Sequence, residues 1–159
     1  MPPTPLTPTI RYVPLGTRKI YWVTTIATYT APTRGELNAG IDLTGELAEM
    51  TGFAVTSGTV DTPDLSSRFT SKIPGTITAD SSTITCWASS TSADVRTVLP
   101  RDTSGFVVIL PEGDVTSQKM DIYPAKVAST SVDTTIGDPA KILVTFTITK
   151  VPALNVAIP

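Results

Sequence analysis

The segment Ile142–Val151 limits most strongly what this chain can fold into, because its side chains alternate strictly in character. Two sets of residues would lie on opposite faces: Ile142, Val144, Phe146 and Ile148, against Leu143, Thr145, Thr147 and Thr149. Successive side chains of a β-strand point to opposite sides of the sheet. The pattern therefore predicts a strand with one face packed on a core and the other turned to solvent or a lumen.

Threonine and proline extend this β prediction along the chain. Threonine accounts for 29 of the 159 residues and favours strands, while fourteen prolines limit the length of any helix. The continuous apolar run Gly105–Leu110 predicts a central strand. We expect seven or eight antiparallel strands in an all-β fold, a β-sandwich or half-open barrel with one short flanking α-helix at 92–99. Ser92 is expected to cap this helix and Pro100 to end it.

A single domain is predicted between two extended ends. Residues 1–16 are rich in proline and predict an N-terminal arm, residues 17–151 one β-sandwich domain, and residues 152–159 a C-terminal tail. The tail is apolar, so we expect it to lie against this subunit or a neighbour. Within the domain, Thr33 and Glu36 have the spacing of a capping box and predict one helical turn.

The stretch Gly52–Trp87 contains the least ordinary feature of the sequence. A short β-like run ends near Thr56, and a polar loop is predicted over residues 57–72. A hairpin is then predicted, with 76–78 paired to 83–87 across a turn at 79–82. Structureless loops longer than about 12–15 residues are uncommon in compact domains and tend to be functional or disordered. The loop is therefore the first candidate for a functional segment.

The charges are few and unevenly distributed. Charged residues make up 16% of the chain, the net charge is −2, and general affinity for nucleic acid through a basic surface is not expected. Residues 1–35 carry four bases and no acid, whereas residues 36–159 carry eight bases and fourteen acids. This asymmetry would let the arm of one copy lie on the body of another. A solvated basic tail is the alternative.

Catalytic and metal chemistry find little support in the sequence. The chain has no histidine and one cysteine, Cys86, which excludes His/Cys metal sites, Ser-His-Asp and Cys-His catalysis and an intrachain disulfide. No cofactor and no enzymatic activity are expected. The features left open are a carboxylate pair, Glu46 with Glu49 or Asp61 with Asp64, a calcium site at Asp80, Asp133 or Asp138, and a ligand platform formed by Tyr12, Tyr21, Trp22 and Tyr29.

Nothing in the sequence predicts a membrane partner or an export signal. No apolar run approaches 18 residues, and the N-terminus lacks a charged segment followed by an apolar one. We therefore expect synthesis and folding in a cytoplasm.

Five phrases, in this order and spacing, resemble a known family. They are APTRGELNAGIDLTGE (31–46), VDTPDLSSRFTSKIPG (60–75), DSSTITCW (80–87), ADVRTVLPRDTSGFVVILPEGD (93–114) and VTFTITKVPALNVAIP (144–159). They are similar to the major tail tube proteins of long-tailed, non-contractile phages, of the kind common among phages of actinobacteria. The likeness extends from about residue 17 to the end, and the proline-rich start has no counterpart in it.

The resemblance implies an architecture and a set of partners. Six copies would form a ring in which one sheet from each joins an inner β-barrel, and rings would stack around the tape-measure protein. The tube would later conduct double-stranded DNA, and its ends would meet tail terminator and tip proteins. The protein would be made in the bacterial host cytoplasm and reside in the virion tail. An immunoglobulin-like or lectin-like binding or decoration module, and a carboxylate-based hydrolase, are the alternatives.

The resemblance also implies three groups of contact residues. A loop between early strands would reach the next ring, inner strands would line the lumen, and terminal arms would bind neighbours. The predicted residues are Asp61, Pro63, Asp64, Leu65, Arg68, Phe69 and Lys72 for stacking, Glu46, Glu49 and Asp121 for the lumen, and Arg11, Tyr12, Leu154, Val156 and Ile158 for the arms.

Overall fold

The computed structural model describes residues 3, 6–133 and 135–159, and these residues form ten strands and two short α-helices. In chain order the elements are β1 (Lys19–Val23), α1 (Arg34–Asn38), β2 (Ile41–Asp42), a 3₁₀ turn (Thr44–Glu46), β3 (Leu47–Thr51), β4 (Val55–Thr62), β5 (Ser71–Ala79), β6 (Ser82–Trp87), α2 (Val95–Val98), β7 (Ser104–Leu110), β8 (Lys119–Asp133), β9 (Lys141–Ile148) and β10 (Ala153–Ala157).

Eight of the strands form one antiparallel sheet in the order β2-β1-β7-β8-β9-β6-β3, with β10 paired to the start of β8. Strand β8 pairs with β7 from Asp121 to Lys126 and with β9 from Ala125 to Asp133. This one long strand therefore connects the two halves of the sheet. The two edge strands, β2 and β3, are joined by only the four residues 43–46. The sheet therefore curls into a half-open barrel, and the predicted all-β fold class is confirmed.

The barrel interior is the larger of two hydrophobic clusters. Trp22 and Phe146 lie at its centre with ring centroids 5.7 Å apart, and neither is exposed. Helix α2 contributes Val95 to this interior, and Leu99 follows it there. Gly105 is needed beside the Trp22 indole, because a Cβ at this position would lie 2.6 Å from the ring. The core is thus closed by strands on its sides and by α2.

The second cluster lies on the outer face of β1, β7 and β8. Helix α1 covers it with Leu37, and the C-terminal segment covers it with Ala153 and Ile158. Strand β10 holds this segment in place, since it pairs with β8 from Ala153↔Ile122 to Ala157↔Lys119. The apolar tail predicted at 152–159 thus lies against its own subunit, which is one of the two expected arrangements.

Several local predictions are confirmed. Thr33 caps α1 and forms the complete capping box with Glu36. Strand β9 buries every second residue, as the alternation required, although it ends at Ile148. The predicted flanking helix at 92–99 is wrong in its bounds. Helix α2 spans only Val95–Val98, because Asp94 and not Ser92 accepts the first-turn N–H, from Arg96.

The prediction for Gly52–Trp87 is wrong in its strand pairing. Strand β5 pairs with β4 from Thr62↔Ser71 to Val55↔Ala79, and β6 pairs with β3 and β9 instead. The predicted loop at 57–72 is therefore largely a two-stranded hairpin whose tip is residues 63–70. The predicted turn at 79–82 does not join two strands that pair with each other. It connects β5 of the hairpin to β6 of the barrel.

Candidate assembly surface

The β4–β5 hairpin projects from the barrel as an extension of another strand pair. Strands β3 and β6 pair with each other inside the main sheet, and β4 and β5 continue them as a separate two-stranded sheet. The eight residues of β4 correspond to roughly 26 Å of extended chain at about 3.3 Å per residue. Almost every residue of the hairpin is exposed. No other described segment of the chain therefore covers most of the β4–β5 hairpin.

A hinge between β3 and β4 fixes the base of the hairpin. Gly52 and Phe53 both adopt left-handed backbone conformations, with φ of 79° and 53°. The Phe53 ring is buried in the barrel, where it packs edge-to-face on Tyr123 at 5.3 Å and lies 6.1 Å from Phe146. The Phe53 N–H donates to the Ser82 hydroxyl at 2.9 Å, and the Tyr123 hydroxyl donates to the Phe53 carbonyl at 2.6 Å. The direction of the hairpin is thus tied to the core.

The hairpin has one apolar and one polar face. The register places Val60 opposite Ile73, and a bulge between Ser57 and Thr59 returns Val55 to the same face. Val60, Ile73 and Ile77 remain 52%, 51% and 60% exposed. The polar face carries Thr56, Asp61, Lys72, Thr76 and Thr78. An apolar face of this kind on an exposed two-stranded ribbon is typical of a surface that another chain covers.

The hairpin tip presents two apolar side chains on a frame of local hydrogen bonds. Asp64 Oδ1 accepts from the backbone and hydroxyl of Ser66, and the Ser67 hydroxyl accepts from the Phe69 N–H at 3.0 Å. Leu65 and Phe69 are fully and 77% exposed. These local bonds satisfy the tip backbone and lower the pKa of the Asp64 carboxyl, chiefly through the Ser66 hydroxyl.

The stacking residues predicted from the sequence all lie on this hairpin. Asp61 and Lys72 are a cross-strand pair on β4 and β5, with Nζ and Oδ1 2.7 Å apart. Both side chains are more than half exposed, so this ion pair contributes little to stability. Arg68 makes no ion pair within the described residues. The remaining members, Pro63, Asp64, Leu65 and Phe69, belong to the tip.

The three predicted lumen residues do not lie together. Glu46 ends the 3₁₀ turn and Glu49 lies on edge strand β3, and both are exposed. Asp121 lies on β8, which does not pair with β3, and its Oδ1 accepts from the Asn155 N–H at 2.9 Å. Asp121 thus helps to hold β10 on the outer cluster, and its role in a lumen stays a prediction.

The predicted arm residues differ in their surroundings. Arg11 is exposed, and the Tyr12 hydroxyl donates to the Pro111 carbonyl at 3.2 Å and lies 3.3 Å from a Glu112 oxygen. Ile158 is buried within its own subunit and Val156 packs beside it. Leu154 is 48% exposed. Arg11, Tyr12 and Leu154 are therefore exposed enough to be available to a neighbour.

A polar network that the sequence did not predict joins α1 to the β7–β8 turn. The Arg34 guanidinium binds both carboxylate oxygens of Asp114, and the Tyr21 hydroxyl donates to the same carboxylate at 3.0 Å. Burial and this hydrogen bond raise the pKa of Tyr21 to about 12, and Arg34 lowers the pKa of Asp114. Arg34 and Asp114 are 80 positions apart, so no local spacing could reveal the contact.

Two of the open sequence alternatives, the aromatic platform and the calcium site, find no site among the described residues. Trp22 is buried, Tyr21 is bound to Asp114, and Tyr29 stacks on Phe106, so these aromatics do not form a shared exposed platform. Among the described residues no group of three or more Asp, Glu or Cys side chains is arranged to hold a metal ion. The described α-helices are at most five residues long, and none could cross a bilayer.

Comparison with known proteins identifies the family. A family model described as phage tail tube protein matches residues 7–159. The fold is similar to a chain of the six-fold-symmetrised cryo-EM structure of the anti-feeding prophage baseplate, with a TM-score of 0.59, 12% identity and coverage of 91% of this chain and 94% of that one. It is also similar to a chain in the C6 helical tail of an empty gene transfer agent particle, with a TM-score of 0.51, 11% identity and coverage of 87% and 93%.

These structural likenesses show the fold alone, and no curated protein matches the sequence. The family match carries the assignment, because it spans almost the whole chain. The chain belongs to the phage tail tube protein family and is a structural protein of the tail.

Proposed function

We propose that this protein assembles into hexameric rings that stack into a tail tube, and that the tube is a passive conduit for double-stranded DNA. The two similar structures were described with six-fold and C6 symmetry, which supports the ring number. The long-tailed, non-contractile type and the actinobacterial host stay predictions from the sequence resemblance. So do the tape-measure, terminator and tip proteins as partners.

The projecting hairpin is the observation that carries this proposal. Its apolar face and tip are exposed in the single chain, although apolar patches on soluble proteins usually mark an interaction site. The strand edges of a two-stranded ribbon also expose unpaired backbone groups that favour pairing with another chain. Contact with the next ring would cover both features. The hairpin is therefore proposed as the stacking element.

The charge distribution supports passive conduction. Residues 36–159 carry six more acids than bases, and Glu46 is an exposed carboxylate on the barrel edge. A lumen wall with net negative charge would repel the phosphates of DNA, so that DNA could pass without being bound. Tight binding would instead require many Lys and Arg contacts to the backbone.

Replacement of the hairpin tip tests the stacking role. Because Thr62 pairs with Ser71, residues 63–70 can be exchanged for Asn-Gly, which favours a two-residue hairpin turn. The variant should keep the barrel and form rings but no tubes, as seen by negative-stain microscopy and sedimentation velocity.

Circular dichroism and thermal unfolding of the same sample control for misfolding. Tubes formed by this variant would show that the tip is not the stacking element. A parent protein that stays strictly monomeric at high concentration would refute self-assembly itself.

A further inference from the structure

We infer that the hairpin tip of one copy inserts into a groove beside β3 of a second copy, with Leu65 and Phe69 as anchors and Arg68 facing Glu49. The inference rests on the proposed stacking and names the surface that receives the tip. Neither the family match nor the fold likeness identifies this surface. It follows from the preformed conformation of the tip, the lining and charge of the groove, and the separation of tip and groove along the segment from β3 to β4.

The backbone of the hairpin tip is held in one conformation before any partner binds. The Ser66 N–H donates to Asp64 Oδ1 and the Phe69 N–H donates to the Ser67 hydroxyl, and these local bonds hold the tip backbone, so little order must be gained on binding. Leu65 and Phe69 contact almost nothing in their own chain. Buried aromatic side chains that fill a partner's pocket are the usual anchors of an interface.

The groove lies between the end of the N-terminal arm and the start of β3. It has a volume of about 320 Å³. Its apolar lining includes Leu15 and Met50, and the first of these is 89% exposed. A bulge in the pairing of β3 with β6 falls between Leu47 and Glu49, at the strand that forms one wall. The groove therefore combines an apolar floor with an irregular edge that none of the ten described strands covers.

The charges of the tip and the groove complement each other. The groove carries Glu49 and Arg18, and the tip carries Arg68 and Asp64. Neither Glu49, Arg18 nor Arg68 makes an ion pair within the described residues. Asp64 Oδ1 accepts hydrogen bonds from the Ser66 N–H and hydroxyl, and the carboxylate makes no ion pair among the described residues. Arg68 can thus meet Glu49 while Asp64 meets Arg18, which assigns Glu49 to the contact and not to the lumen.

The tip and the groove occupy opposite ends of one continuous strand ribbon. The ribbon begins at Leu47 beside the groove, passes the hinge at Gly52 and continues along β4 to the tip. A projecting tip and a receiving groove at different places on the same subunit give a heterologous, head-to-tail contact. Such a contact can repeat from copy to copy. A second copy of this chain is therefore the occupant that the arrangement fits.

Charge reversal tests the pairing. Glu49→Arg and Arg68→Glu should each leave rings intact and stop tube growth, because like charges then face each other across the contact. The double variant should restore tubes. Phe69→Ala should raise the critical concentration for tube growth at least roughly tenfold, as expected for loss of an interface anchor. Asp138→Arg, at an exposed loop carboxylate, is the matched control and should grow tubes as the parent does.

The outcomes separate this inference from the proposed function. If the Asn-Gly tip replacement abolishes tubes but both single reversals grow them normally, the stacking role stands and the groove is the wrong receptor. Failure of the double variant to regain tubes also overturns the pairing. Tubes that persist after tip replacement refute the stacking role instead.

A disulfide between copies gives an independent readout. Leu15→Cys with Phe69→Cys, assembled above the raised critical concentration expected for loss of the Phe69 ring, should produce a ladder of linked subunits on non-reducing gels after oxidation of the tubes, and neither single variant should do so. The native Cys86 will not interfere, since it is fully buried and burial raises the pKa of its thiol to about 11. Absence of the ladder in assembled tubes would place the tip elsewhere.

Discussion

Replacement of Phe53 by alanine should remove the packing that holds the base of the hairpin against the barrel and should destabilise the fold. The Phe53 ring is the only large side chain between β3 and β4, and it packs on Tyr123 and lies near Phe146 in the core. Its backbone makes two further bonds, to the Ser82 and Tyr123 hydroxyls. Substitution removes the ring and leaves these backbone bonds without the packing that positions them.

The expected cost follows from burial and backbone conformation. Phe→Ala at a buried site costs about 3–5 kcal/mol, a large part of the roughly 5–15 kcal/mol that stabilises a typical domain. Phe53 also has a φ of 53°, where a residue with a Cβ pays about 1–2 kcal/mol and glycine pays none. Phe53→Gly should therefore be less destabilising than Phe53→Ala by about 1 kcal/mol, which reverses the usual order of these residues.

Urea unfolding of unassembled protein measures both effects. The Asn-Gly tip variant is the background, and fluorescence of the buried Trp22, 5.7 Å from Phe146, reports on the core. Phe69→Ala, compared with the full-length parent below the concentration at which either assembles, is the matched control, because loss of this exposed ring should change the free energy of unfolding by at most about 0.5 kcal/mol. A Phe53→Ala cost under about 1 kcal/mol, or a glycine variant less stable than the alanine variant, would refute the anchoring role.

Two further substitutions probe the hinge and α2. Gly52→Ala should lower the free energy of unfolding by at least about 1–2 kcal/mol in urea titration. The φ angle of Gly52 is 79°, and a Cβ at this position would lie 2.8 Å from the Ser81 carbonyl oxygen. An unchanged urea midpoint would contradict this backbone geometry between β3 and β4. The pKa of Asp94 lies far below its ordinary value, chiefly through hydrogen bonds from Arg96, so its stabilisation is present above about pH 3.9 and is lost as the pH falls further. Asp94→Asn should therefore reduce the acid-dependent part of stability measured by urea midpoints from pH 7 to pH 2.5, and an exposed-site control, Asp138→Asn, should not.

The sequence predicted those elements whose signals are local. The capping box of Thr33 and Glu36 spans three residues, and the alternation of β9 is regular over its whole length. In β4 the bulge after Ser57 separates Val55 and Val60 by an odd number of positions, although both lie on one face. This breaks the period of two by which a strand is recognised. The sequence pattern of β4 therefore predicts a polar loop.

Strand pairing and polar contacts between distant residues could not be derived in the same way. The segment 76–78 has the character of a strand, but its composition does not say whether β4 or β6 is its partner, and the short separation from 83–87 favours β6. Spacing predicts Ser92 as the cap of α2, but Asp94 takes this place because its carboxylate binds the Arg96 guanidinium and accepts from the Ser89 N–H. These are properties of tertiary geometry and not of spacing.

The hairpin makes physical sense only as part of an assembly. A two-stranded ribbon is at best marginally stable in water when it stands alone, and this one exposes an apolar face along Val60, Ile73 and Ile77. In a monomer such a face and two free strand edges would favour uncontrolled association. The hinge at Phe53 counters this by fixing where the ribbon points, so that association occurs in one direction. Anchored geometry at the base and exposed apolar side chains at the tip are thus complementary requirements of a chain that adds to copies of itself.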